Sequence, residues 1–148
     1  MKKILIVASK FNDYITKSMH TGAVETLKED GITDASIETI WVPGCFELPT
    51  VAAKAAKSGA WSAIICLGVV IRGETPHFEY VAGQAAAGIM KAGTDTGVPV
   101  IFGVLTTETV EQALNRAGIK YGNKGVDAAK TATAMIKCMS RLEELSRK

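Results

Sequence analysis

The chain has 148 residues, 47% of them apolar and 22% charged, with a formal net charge of +2. That length fits one domain with its own core, expected to span residues 1–148. Acids and bases are mixed along it, so no basic stripe points to nucleic acid or to an anionic membrane.

Cys45, Cys66 and Cys138 are odd in number, widely spaced and not arranged as CxxC, so reduced thiols are expected rather than a disulfide framework. Met1-Lys2-Lys3 leads straight into a short apolar run, without the apolar stretch and cleavage site of a leader. No apolar run approaches the roughly 20 residues a membrane helix needs. A soluble cytoplasmic protein is the expectation.

Ile4-Leu5-Ile6-Val7-Ala8 is a continuous apolar run, as expected of a parallel strand covered on both faces. Residues 13–30 read as a helix closed by Gly31. Residues 35–42 form a second strand, in which Ile37, Thr39 and Trp41 alternate with their neighbours. Residues 46–58 are an Ala-rich helix stopped by Gly59, and residues 63–70 are the most apolar strand. A helix over 76–93, a strand over 98–105 and a short helix over 108–116 follow. A glycine-punctuated kink at 118–122 leads to a long closing helix over 125–145, with Val126, Ala129, Thr133, Ile136 and Met139 along one side.

Strictly alternating strands and helices predict right-handed crossovers and a parallel sheet with helices on both faces. The fold class expected is α/β, a flavodoxin-like three-layer sandwich with strand order 2-1-3-4. Ligands of such sheets bind beyond the carboxyl ends of the strands, where strand order reverses. The loops after the strands are therefore where chemistry belongs.

The first loop, Lys10-Phe11-Asn12-Asp13, lacks the hydroxyl- and glycine-rich phosphate loop of a flavodoxin, and the clustered acids of a receiver domain are missing. Phe11 serves either core packing or a flat face toward a ligand. In Val42-Pro43-Gly44-Cys45-Phe46-Glu47-Leu48-Pro49, Pro43 and Gly44 make a tight turn open to close approach. Glu47 either complements a helix dipole or accepts from neighbouring hydroxyls of a polyol.

The third loop is Arg72-Gly73-Glu74-Thr75-Pro76-His77-Phe78-Glu79-Tyr80. Thr75 suits an N-cap and Pro76 the first helical position, so the next helix would present free N–H groups as an anion pocket. His77 sits in that turn, either as a structural residue or as a group that passes protons near neutral pH. Farther on, Arg116, Lys120 and Lys124 surround the kink. They either complement helix ends or embrace a phosphate, Arg116 bidentately.

Together these segments resemble the lumazine synthase family almost from end to end. The matching pieces are Phe11-Asn12, the run from Val42 to Pro49, the run from Gly68 to Val81, the run from Pro99 to Glu108, Asn115-Arg116-Ala117-Gly118 and Gly122-Asn123-Lys124-Gly125. The resemblance implies condensation of 5-amino-6-(D-ribitylamino)uracil with 3,4-dihydroxy-2-butanone 4-phosphate to 6,7-dimethyl-8-ribityllumazine, with no metal or redox cofactor. It further implies a site between adjacent subunits. Phe11 would stack on the pyrimidine. Cys45 and Phe46 would contribute main chain, and Glu47 would hold ribityl hydroxyls. Val70 and Ile71 would meet the ring through main-chain groups. Glu74 and Thr75 would bind the ketone's phosphate, with Arg116 reaching it from the neighbour along with Phe102 and Lys124. His77 corresponds to the proton-transfer histidine.

The same resemblance implies a homopentamer or larger assembly, with riboflavin synthase as a further partner. The chain begins almost at its first strand, which leaves a sixty-subunit shell open. It departs from the family pattern at Lys10, where Arg is usual, at Tyr121, where Ala is common, and at Cys45, where Ala or Ser is frequent and where a thiol brings the option of reactivity. Alternative readings are a non-catalytic lumazine or flavin carrier, an archaeal-type riboflavin synthase, and a structural shell protein.

Overall fold

A computed structural model describes residues 3–148; Met1 and Lys2, on which the reading against a leader partly rests, lie outside the described residues. Four strands, β1 (Ile4–Ser9), β2 (Ile37–Val42), β3 (Ala63–Ile71) and β4 (Val100–Thr107), pair in parallel in the order β2-β1-β3-β4. Helices α1 (Asp13–Glu29), α2 (Leu48–Ser58), α3 (His77–Thr96), α4 (Val110–Asn115) and α5 (Lys124–Ser146) follow. This is the flavodoxin-like arrangement expected.

The strands split one apolar chain into two cores, because successive side chains point to opposite faces. From β1, Ile4, Ile6 and Ala8 pack with Ile15, Met19 and Leu27 of α1 and Ala128, Ala129 and Ala132 of α5. Leu5 and Val7 join Leu48 and Ala52 of α2 and Ala85 and Ile89 of α3 on the other face. The central strand β3 is buried almost throughout, which is why it reads as continuously apolar. Among the described residues, no helix is long and apolar enough to cross a membrane.

Several boundaries differ from the sequence expectation, for local reasons. The second strand starts at Ile37 rather than 35, because Asp34–Ser36 form a 3-10 turn. Cys45–Glu47 form another such turn, so α2 starts at Leu48 rather than 46. Helix α3 runs past Gly93 to Thr96, and Gly97, at φ 75°, closes it instead. Gly93 is a packing residue: a Cβ there would lie 3.3 Å from the Val98 carbonyl oxygen.

Val98 and Pro99 therefore belong to the turn, and β4 begins two residues later than expected. Helix α4 is shorter than 108–116; Thr109 caps it, accepting from the Gln112 N–H while the Gln112 side chain accepts from the Thr109 N–H. Of the side expected for α5, Ala129 is buried and Ile136 packs partly buried against the core, while the fully buried stripe runs through the small residues Gly125, Ala128, Ala129 and Ala132. Small residues are needed because α1 crosses closely: a Cβ on Gly125 would collide with the Met19 carbonyl.

Candidate active site

A cleft of about 570 Å³ opens beyond the carboxyl ends of β1, β2 and β3, at the point where strand order reverses. Its first wall is the β1–α1 loop. The Lys10 N–H donates to the Val42 carbonyl at 2.8 Å and the Phe11 N–H to the Pro43 carbonyl at 3.0 Å, so the loop is sewn to the turn after β2. Asn12 then takes a left-handed conformation, φ 60°, which turns the chain into α1 and leaves the Phe11 ring outside the core, 72% exposed. Core packing is thus not what Phe11 does.

The second wall is the Cys45–Glu47 turn, closed by a Glu47 N–H to Gly44 carbonyl bond of 3.2 Å. Glu47 stands at the start of α2 but makes no side-chain cap bond. Its carboxylate folds back over Gly44, where a Cβ would lie 3.3 Å from Oε1. The carboxylate therefore borders the cleft instead of closing the helix end. Phe46, 56% exposed, adds a second apolar face.

Cys45 lies beneath this wall. Its Sγ is 3.7 Å from both Ser9 Oγ and the Val69 carbonyl oxygen, and burial pushes the thiol pKa up, only partly offset by those two contacts. A buried thiol held protonated is a poor nucleophile, which weighs against the reactivity raised by the sequence. Gly68 makes room for it: a Cβ there would sit 2.5 Å from the sulfur and 2.7 Å from Ser9 Oγ. Cys66, deeper in the sheet, is pushed up to about 12 by the same desolvation.

The third wall is the start of α3. Val70 and Ile71 end β3 at the cleft floor, and Gly73, Thr75, His77 and Phe78 line the side. Pro76 occupies the N-cap position rather than the first helical one, and Thr75 is only loosely engaged, Oγ1 accepting from the His77 N–H at 3.4 Å. Of the first-turn N–H groups beyond it, that of Glu79 donates to the Pro76 carbonyl at 3.0 Å and none has a side-chain cap, which leaves room for an anion. Glu74 is exposed on the same loop but outside the cleft lining. Tyr80 and Val81 also line the space; no role was assigned to them from sequence, although spacings of three and four from His77 put them on its helix face.

Besides Glu74, three further expected site residues are not in this cleft. Phe102 and Lys124 line a separate recess of about 390 Å³ between β4, an edge strand, and α5. Arg116 is the C-cap residue of α4, its Nη1 donating to the Gln112 carbonyl at 3.3 Å, with the guanidinium 5.6 Å from the Tyr121 ring centre. Asn123 ties this region to the body of the molecule. Its Oδ1 accepts from the Gly125 and Val126 N–H groups and its Nδ2 donates to the Ser18 carbonyl at 3.2 Å.

A parallel four-stranded sheet ordered 2-1-3-4, with an aromatic-walled cleft at its switch point, defines a flavodoxin-like α/β protein with a recess sized for small molecules. The model of the 6,7-dimethyl-8-ribityllumazine synthase family matches residues 1–140, and the chain belongs to that family. Its reaction is accordingly the transferase step of riboflavin biosynthesis that forms 6,7-dimethyl-8-ribityllumazine, and members of the family act on small-molecule substrates and form oligomers.

Proposed function

We propose that the cleft holds both substrates of the lumazine synthase reaction, with the pyrimidine on Phe11 and the ribityl hydroxyls on Glu47. The observation that carries this reading is the convergence of Phe11, Phe46, Glu47, Val70, Ile71 and His77 around one space of about 570 Å³. Main-chain groups of Cys45 and Phe46 join Glu47 at the ribityl chain, and those of Val70 and Ile71 meet the ring. The loop bearing Glu74 and Thr75, with the open first turn of α3, receives the ketone's phosphate.

The chemistry asks for little beyond placement and proton movement. The pyrimidine amine adds to the ketone carbon, and loss of water gives an imine. The phosphate then leaves, and the ribitylamino nitrogen closes the second ring with loss of a second water. Holding the partners together can supply roughly 7–11 kcal/mol in favourable cases. His77, exposed at the cleft wall, carries protons between the nitrogen and oxygen atoms as these bonds change.

Arg116, Phe102 and Lys124 stand outside the cleft of their own chain, which supports a site completed by an adjacent copy. The edge recess beside β4 and the kink carrying Arg116 of one subunit then close over the cleft of the next, in a homopentamer of single-domain chains. A cytoplasmic location, and riboflavin synthase as the consumer of the product, belong to the same reading.

Subunit sharing is tested by mixing two variants. His77→Ala slows turnover about 10²–10⁴-fold without abolishing it, and Arg116→Ala weakens use of the phosphorylated ketone. Rings reassembled from equal amounts of the two regain about a quarter of wild-type turnover, because that fraction of interfaces pairs an intact His77 with an intact Arg116. Activity no higher than the average of the separate variants would mean that each chain supplies its own site.

A further inference from the structure

Arg72 leaves the end of β3 and touches both flanks of the loop over residues 73–76. Its N–H donates to the Thr107 carbonyl at 2.9 Å, extending the β3–β4 ladder. Its Nε lies 2.8 Å from Glu108 Oε2 and its Nη1 3.5 Å from Glu79 Oε1. The guanidinium carbon stands 4.5 Å from the centre of the Phe78 ring.

Phe78 and Glu79 directly follow His77 in the first turn of α3. Glu108 lies on the other side, where its N–H donates to Gln112 Oε1 at 2.8 Å and so ties it to the start of α4. An isolated exposed ion pair contributes little. Here one planar group uses its edge on two carboxylates and its face on an aromatic ring, a combination that a lysine ammonium cannot reproduce. The contact also keeps two carboxylates beside the anion pocket paired with a cation.

We propose that Arg72 is a positioning residue that clamps the 73–76 loop and the first turn of α3, so that the phosphate-binding N–H groups and His77 meet the ketone together. It touches no reacting atom. This rests on the assignment of that loop to the ketone's phosphate.

The test uses full-length Arg72→Ala, Arg72→Lys and Glu108→Gln. KM for each substrate and kcat are measured with both substrates, and amide hydrogen exchange over residues 73–79 is measured with none. Arg72→Ala is expected to raise KM for the butanone phosphate roughly tenfold, below the ~10²-fold that a 1 Å misplacement can cost. It should leave KM for the ribitylaminouracil within about twofold, since that substrate rests on the first two walls and on the β3 main chain that the sheet holds without Arg72's side chain. Loop exchange should quicken in Arg72→Ala and in Glu108→Gln, and Arg72→Lys should recover only a minor part of the loss.

Unchanged exchange in Arg72→Ala would overturn the clamp itself. Full rescue by lysine would reduce the role to charge and overturn the positioning account. A parallel rise in both KM values with a lowered melting temperature would make the residue merely structural. Faster exchange with an unchanged ketone KM would instead remove the loop's phosphate assignment, and the proposal with it.

Discussion

His20 carries a pH dependence that has nothing to do with the cleft. Its Nε2 is hydrogen-bonded to Thr39 Oγ1 at 2.9 Å, its ring centre lies 5.5 Å from that of Trp41, and desolvation by burial lowers its pKa from the ordinary 6.5. The unfolded chain therefore takes up this proton before the folded one does. Its effect on stability is flat above pH 6.5 and turns destabilising as pH falls from there through the lower folded value. His20→Gln, which can keep a bond to Thr39, should lose less stability than the wild type between about pH 7.5 and 5 in urea titrations, because no ring remains to protonate. Identical pH slopes for the two proteins would show that the ring titrates alike in both states. Glu47 and Phe11 illustrate how far single residues could be read from sequence. Both had two plausible uses there, and only placement separates them: an exposed ring at a left-handed turn, and a carboxylate folded over Gly44 with no cap bond.

At the scale of elements, apolar runs revealed β1 and β3, because burial on both faces leaves little room for polar residues, while the alternation of strands with helices pointed to the parallel sheet and its order. Boundaries were less legible where short side-chain and turn bonds decide them. Thr96 accepts from the Val98 N–H and delays β4, and the 3-10 turns at Asp34–Ser36 and Cys45–Glu47 displace the starts of β2 and α2. The α1–α5 crossing was not legible either, since it depends on Gly22 and Gly125 lying opposite Asn123 and Met19, which no local pattern reveals. Gly125→Ala should therefore destabilise the protein by about 2–3 kcal/mol through overpacking, although alanine is the better helix former. A urea midpoint equal to or above the wild type would show that the crossing can relax around a methyl group. Asn123 belongs to the same crossing and holds the kink from which Arg116 and Lys124 project.

On the scale of the whole molecule, the residues proposed for the site fall on separate surfaces in a way that follows from topology. The cleft forms where the strand order reverses, while Phe102 and Lys124 sit at the β4 edge and Arg116 at the end of α4. The family motifs name all of these residues, but linear spacing carries no information about which chain completes which cleft; the closed ring of identical subunits proposed above would use both surfaces. Catalysis is the claim on which the rest depends. Its most direct measurement mixes purified protein with 5-amino-6-(D-ribitylamino)uracil and 3,4-dihydroxy-2-butanone 4-phosphate, following lumazine fluorescence and phosphate release against a protein-free control. The account predicts one phosphate released per lumazine formed, well above the spontaneous rate. Folded protein that binds lumazine yet gives no acceleration would contradict it and indicate a carrier that has kept the cleft without the chemistry.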